Sequence, residues 1–244
     1  MGMAAFVYGL FGYVVFLGSF LYAIGFVGNL VVPKAIDTGP AGPVTEALFI
    51  NGLLLGLFAL QHSVMARRDF KRWWTRFVPQ SVERSTYVLI SSLLLLVLFW
   101  RWQPILGVVW HVENRVGVVA LEVLFWLGWA VVLYSTFAID HFDLFGLRQV
   151  WLRLRGIEYV PVPFEQPPLY KLVRHPLLLG FLVAFWSTPR MTQGHLLFSV
   201  ATTGYVLVGI LLEERDLVAA HGKVYEQYQR EVRMLLPLRR RRVG

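Results

Sequence analysis

Blocks of apolar residues, most of them close to the roughly 20 residues that cross a bilayer as a helix, constrain this chain more than any motif in it. They run from Ala4 to Val32, Val44 to Met65, Ser85 to Trp100 and Val116 to Ile139, and then as a pair, Leu177 to Trp186 and His195 to Leu212. A chain of 244 residues, 57% hydrophobic and 16% charged, has no core large enough to hide them. The blocks therefore predict an all-α integral membrane protein. The first block lacks a basic leader and a small-residue cleavage site and exceeds the apolar core of a signal peptide, so it reads as a retained span. With no Cys, the chain has no disulfide, thiolate nucleophile or Cys-ligated metal.

The connections carry the charge. Arg67 to Arg84 interleaves basic residues with Trp73, Trp74 and Phe77, a mixture that suits the membrane interface. Prolines 161, 163, 167 and 168 mark the stretch from Asp140 to Arg174 as a loop facing water or lining a pocket. Pro189, Arg190 and Gly194 separate the last two blocks, which read as a helical hairpin whose first arm is short for a span, re-entrant or tilted. Residues 1–139 then hold four membrane helices with a basic loop at 66–84. Residues 140–244 hold a loop, the hairpin at 176–212 and an amphipathic tail ending in Arg239 to Arg242. Gly52 and Gly56 have the spacing at which two membrane helices approach closely.

With the amino terminus inside, nineteen Lys and Arg fall on the cytoplasmic segments and four outside. That bias predicts about five spans in the inner membrane with both termini cytoplasmic. The net charge of +8 is then a topological device, and nucleic acid is not an expected partner.

An antiparallel hairpin returns Arg174, His175 and Pro176 to the vicinity of Glu213 and Glu214. Proline at a helix start leaves unpaired N–H groups beside two basic side chains, a combination that holds a carboxylate or phosphate. A Glu opposite either accepts hydrogen bonds from vicinal hydroxyls or pairs with Arg174. The plain alternative is an interfacial anchor beside a solvated tail.

These residues resemble the integral membrane S-adenosylmethionine-dependent methyltransferases typified by isoprenylcysteine carboxyl methyltransferase. The Arg-His-Pro helix start with a glycine four residues on is matched by Arg174, His175, Pro176 and Gly180. The second half is matched by Glu213-Glu214, His221-Gly222, Tyr225, Tyr228 and Leu235-Leu236-Pro237. Two positions depart from the pattern: Leu178 stands where a tyrosine is common, and His221 where an aromatic precedes the glycine. Upstream, Gln61-His62-Ser63-Val64-Met65-Ala66-Arg67, Glu83-Arg84-Ser85-Thr86-Tyr87 and Asp140-His141-Phe142-Asp143-Leu144-Phe145-Gly146-Leu147-Arg148-Gln149 look closest to the methanethiol S-methyltransferase branch, which shares features with the nitrite/nitric-oxide-linked membrane family.

The resemblance implies methylation of a small volatile thiol, methanethiol, to dimethyl sulfide, with S-adenosylhomocysteine as the other product. It implies a cytoplasmic cofactor-binding carboxyl-terminal region in which Tyr170, Arg174, His175, Pro176, Gly180, Glu214 and Tyr228 hold S-adenosylmethionine. Thiol activation requires a base or a cation, and His62, His141 with Asp143, and Arg84 are the candidates at the cytoplasmic ends of their spans. Methylation of a lipid or prenylated thiol or carboxylate is the alternative within the enzyme class. Outside it stands a haem-binding membrane protein using His62, His141 and His175. Glu122, inside the fourth block, is expected to make a structural hydrogen bond, and His111 and His195 are unassigned.

Overall fold

The computed structural model describes residues 2–163 and 165–236; Pro237 and the Arg239–Arg242 run lie outside the described residues. Each apolar block is a helix. Four of the five long ones are α1 (Gly2–Gly28), α2 (Val44–Ala66), α4 (Gln80–Arg101) and α5 (Arg115–Ala138), and the fifth is α9 (Gln193–His221). All five are long and apolar enough to cross a membrane. Between α2 and α4 the basic aromatic segment forms a short helix, α3 (Arg68–Trp74). The stretch from Asp140 contains α6 (His141–Leu144), α7 (Leu147–Arg155) and a 3-10 turn at Pro168–Lys171. The short hairpin arm is α8 (Pro176–Trp186), and α10 (Lys223–Glu231) follows a break at Gly222.

Two compact units share the chain. The first comprises Met1–His111, Asp140–Pro163 and Arg190–Leu197; the second comprises Val112–Ile139, Phe164–Pro189 and Phe198–Gly244.

In the first unit, α1 packs on α4 and α7. The turn before α7 meets α4 at Gly146, whose φ of +88° is open to glycine, and a Cβ there would lie 2.7 Å from the Ser85 nitrogen. Ser85 Oγ donates to the Gly146 carbonyl, so this contact also satisfies a buried hydroxyl. The fully buried Asn51 of α2 behaves like a strand partner: its amide donates to Gln103 O at 2.8 Å and accepts from Gln103 N at 2.9 Å. Two short strands, β1 (Val108–His111) and β2 (Arg190–Thr192), pair antiparallel where only turns were expected. Thr192 Oγ1 fixes this pair to the neighbouring loop by donating to Asp37 Oδ1 at 2.6 Å.

In the second unit, α8 lies in backbone contact with α5. A Cβ on Gly180 would stand 2.7 Å from the Gly128 carbonyl oxygen, and one on Gly128 would stand 2.7 Å from Gly180 O. The close helix approach thus occurs at Gly128 and Gly180; around Gly52 and Gly56 a Cβ would meet nothing within 4 Å among the described residues. Arms α8 and α9 are antiparallel, since Ser199 Oγ donates to Phe185 O near the turn and His175 meets Glu214 at the open end. An 11-residue α8 is about 16 Å long, too short for a hydrocarbon core of about 30 Å.

Candidate active site

The second unit's polar cluster forms where α8 begins. Pro176 fixes the first helical residue, and His175 before it lies outside the helical region at φ −126°, ψ 62°. The chain from Val173 to His175 runs beside the segment after α10. Val173 bridges Arg233 in parallel, Arg174 N donates to Arg233 O at 2.8 Å, and His175 N donates to Met234 O at 3.2 Å. This pairing turns both side chains inward. Arg174 Nε donates to Glu214 Oε1 at 2.6 Å, and its Nη1 donates to the carbonyls of Gln229 and Val232. His175 Nε2 lies 3.0 Å from the same Glu214 oxygen, its Nδ1 lies 3.6 Å from Glu213 Oε2, and Gln229 donates to Glu214 Oε2 at 2.9 Å.

Glu214 is therefore a three-way acceptor, and Arg174 ties the carboxyl-terminal segment to the hairpin. The side chains of Arg174 and Glu214 are only 9% and 12% exposed, so their charges meet with little water between them. Three tyrosines complete the cluster. Tyr228 donates to Tyr170 O, and Tyr170 donates to Ser135 O at 3.4 Å. Tyr225 and Tyr228 are buried edge to face with centroids 5.6 Å apart. Burial pushes Tyr228 up to about 12 and also raises Tyr170 and Tyr225. Gly180, one turn into α8, meets α5.

The first unit carries the other candidates in three hydrogen-bonded groups. His62 faces Tyr87, whose hydroxyl lies 2.9 Å from Nε2 and 3.0 Å from Nδ1, with Ser91 Oγ 3.3 Å from Nδ1. His141 Nε2 lies 2.8 Å from the Tyr13 hydroxyl, and the ring is walled by Phe16, Phe142 and Phe145. Burial lowers the His141 imidazole below its ordinary range, opposed by the field of Asp140. Asp140 itself adopts φ +85°, a left-handed conformation that Asp tolerates, and caps α6 by accepting from Asp143 N at 3.0 Å. Asp143 is engaged elsewhere, accepting from Arg148 at 2.9 Å, from Gln149 and from Tyr159.

Arg84 donates from Nε to Leu144 O at 2.8 Å and lies over the Tyr87 ring. Phe145 touches both histidine groups, 4.8 Å from the His141 ring and packed on the Met65–Tyr87–Val88 cluster. Tyr13 and Gln229 escaped the sequence reading, and Tyr87 entered it only as the last residue of a matched motif, with no role. Each is a common residue on a helix, and only its distant partner marks it. Glu122 lies exposed on α5, His111 is exposed on β1, and His195 is buried where α9 begins, its backbone N–H donating to Thr192 Oγ1.

Full-length relatives fix the family. The chain is 59% identical over 231 residues to the methanethiol S-methyltransferase of Mycobacterium tuberculosis (strain ATCC 25618 / H37Rv), covering 95% of both chains. The chain belongs to the methanethiol S-methyltransferase family. Methanethiol S-methyltransferase 2 of Bradyrhizobium diazoefficiens is 54% identical over 235 residues, 96% of this chain and 90% of that one. Nurim of Sus scrofa is a distant relative, 28% identical over 198 residues, 78% of this chain and 70% of its own. No family model and no solved structure matches the chain. The alignment with the methanethiol S-methyltransferases spans nearly all of this chain.

Proposed function

We propose that this protein methylates methanethiol to dimethyl sulfide, using S-adenosylmethionine as methyl donor and releasing S-adenosylhomocysteine. The observation that carries this reading is the near full-length identity to proteins named for that reaction. The donor set of the second unit suits such a cofactor. It combines the half-exposed carboxylate of Glu213, the α8 helix start and aromatic faces that attract a cation. S-adenosylmethionine supplies a methyl group on a sulfonium, which a thiolate displaces in line.

Tyr170, Arg174, His175, Pro176, Glu214 and Tyr228 form the proposed cofactor wall. Arg174 and Glu214 satisfy one another and frame it, while Glu213 and the first turn of α8 supply outward-facing groups. Gly180 serves by letting α8 lie against α5. His62, His141, Asp143 and Arg84 are the proposed thiol-activating set. A thiol with a pKa above that of free Cys, about 8.5, is mostly protonated at neutral pH, so an acceptor raises the fraction able to attack. His141, held neutral by its surroundings, is such an acceptor.

The membrane is proposed to be the inner membrane, with both termini cytoplasmic, on the nineteen-to-four distribution of Lys and Arg. Because the chain has no Cys, a single cysteine introduced near Arg240 tests that orientation, and labelling from the periplasmic side contradicts it. The reaction is tested by adding S-adenosylmethionine and methanethiol to membranes containing the protein and sampling the headspace. Dimethyl sulfide is the expected product; its absence overturns the assignment. Product from a prenylated thiol alone moves it to the lipid-thiol reading.

A further inference from the structure

We propose that an apolar cleft in the first unit admits the small thiol and that Tyr13 takes up its proton while passing its own to His141. This rests on the methanethiol reading above. The cleft has a volume of about 420 Å³ and is lined by Phe6 and Leu10 of α1, Phe142 of α6, and Leu147, Arg148 and Trp151 of α7, with Asp140 at its edge. Leu10, Phe142 and Trp151 are 44%, 51% and 47% exposed, so the cleft opens on the apolar flank of a membrane helix. Such an opening collects solutes that prefer oil to water.

Its charged residues are neutralised within the wall, Arg148 lying 2.9 Å from Asp143 and 3.9 Å from Asp140. A wall of rings and paired charges suits a neutral, apolar ligand and disfavours an ion.

A proton acceptor stands next to the wall of the cleft. Tyr13 follows Phe6 and Leu10 by seven and three residues, which places all three on one face of α1. Its ring lies 6.4 Å from Phe142, and its hydroxyl lies 2.8 Å from His141 Nε2. His141 stands between two cleft residues, Asp140 and Phe142, yet is itself only 5% exposed. In the tautomer with His141 Nε2 unprotonated, the Tyr13 hydroxyl donates to the ring and its oxygen keeps lone pairs for an S–H donor, and the proposed path from the cleft to His141 runs through that oxygen.

The step balances without any further reactant. The S–H bond breaks and its proton bonds to the Tyr13 oxygen, the former Tyr13 proton moves to His141 Nε2, and the thiolate keeps the electron pair of the broken bond. The ionisable and charged neighbours of this pair are Asp140, Asp143 and Arg148 from the α6–α7 segment and Tyr159 after it. On α4 they are Arg84, which donates to Leu144 O, and Tyr87, joined to His62 of α2. Tyr13 is the positioning and relaying residue, and Leu10 sets the width of the cleft.

The test uses the full-length protein, Tyr13→Phe and Leu10→Trp, with initial rates against methanethiol from pH 6.5 to 9 and calorimetric binding of S-adenosylhomocysteine. Tyr13→Phe is expected to lower kcat at least tenfold at neutral pH. The deficit should shrink as the pH rises and solution thiolate replaces the relay, with product affinity unchanged. Leu10→Trp is expected to raise KM for methanethiol at least fivefold. A Tyr13→Phe profile parallel to that of the wild type, or an unchanged KM in Leu10→Trp, overturns the proposal. If Tyr13→Phe no longer binds S-adenosylhomocysteine, the Leu10→Trp arm decides. A wild type that makes no dimethyl sulfide defeats the methanethiol reading itself.

Discussion

The two polar regions of this protein are built on opposite principles. In the second unit a guanidinium and a carboxylate, both largely shielded from solvent, meet at 2.6 Å and are further bonded by an imidazole, an amide and two carbonyls. In the first unit each candidate histidine faces a phenol, His62 with Tyr87 and His141 with Tyr13. Paired charges with little water make a rigid frame that depends on every member. Neutral imidazole–phenol pairs are cheaper to disturb and better suited to passing protons. Removing one partner should therefore cost far more in the second unit than in the first.

Arg174→Ala should have the largest effect, destabilising the fold by about 3–5 kcal/mol because it strands Glu214 and releases the Gln229 and Val232 carbonyls. Thermal unfolding in detergent measures it, and a loss below about 1 kcal/mol would erase the contrast. Next comes Gly180→Ala, which drives a Cβ to 2.7 Å from the Gly128 carbonyl and should cost about 1–3 kcal/mol in the same assay. Tyr87→Phe in the first unit should cost only about 0.5–1.5 kcal/mol, the worth of one neutral hydrogen bond, with affinity for S-adenosylhomocysteine retained.

The smallest effect is a pH dependence. His141 has a lowered pKa in the folded protein, so the unfolded chain binds the proton more readily. Its stabilising contribution is complete above the unfolded value of about 6.5 and is lost as the pH falls below it. Unfolding between pH 7.5 and 5.5 should thus show wild type losing more stability than His141→Gln; equal losses would contradict the shift.

The spans were legible because lipid demands about 20 apolar residues in a row, and each block from Ala4 to Leu212 appears as a helix within a few residues of its expected ends, apart from the last, which runs on to His221. The hairpin was legible through Pro176 and the turn at Pro189 to Gly194. Strands of four and three residues at Val108–His111 and Arg190–Thr192 were not, since so short a run shows no periodicity and each is ordered only by the other. The Arg174–Glu214 pairing was one of two readings of the motif. That Arg174 also holds the Gln229 and Val232 carbonyls left no trace, because backbone acceptors have no side-chain signature. Tyr13 and His141 stand 128 positions apart, a distance no local pattern bridges.

The claim that the charged cluster frames the methyl donor while the histidine–phenol pairs serve the thiol is tested most directly by calorimetric titration of S-adenosylhomocysteine into wild type, Glu214→Gln and His141→Gln. The predicted result is at least a tenfold loss of affinity in Glu214→Gln and wild-type affinity in His141→Gln. Full affinity in Glu214→Gln, or its loss in a folded His141→Gln, would contradict the account.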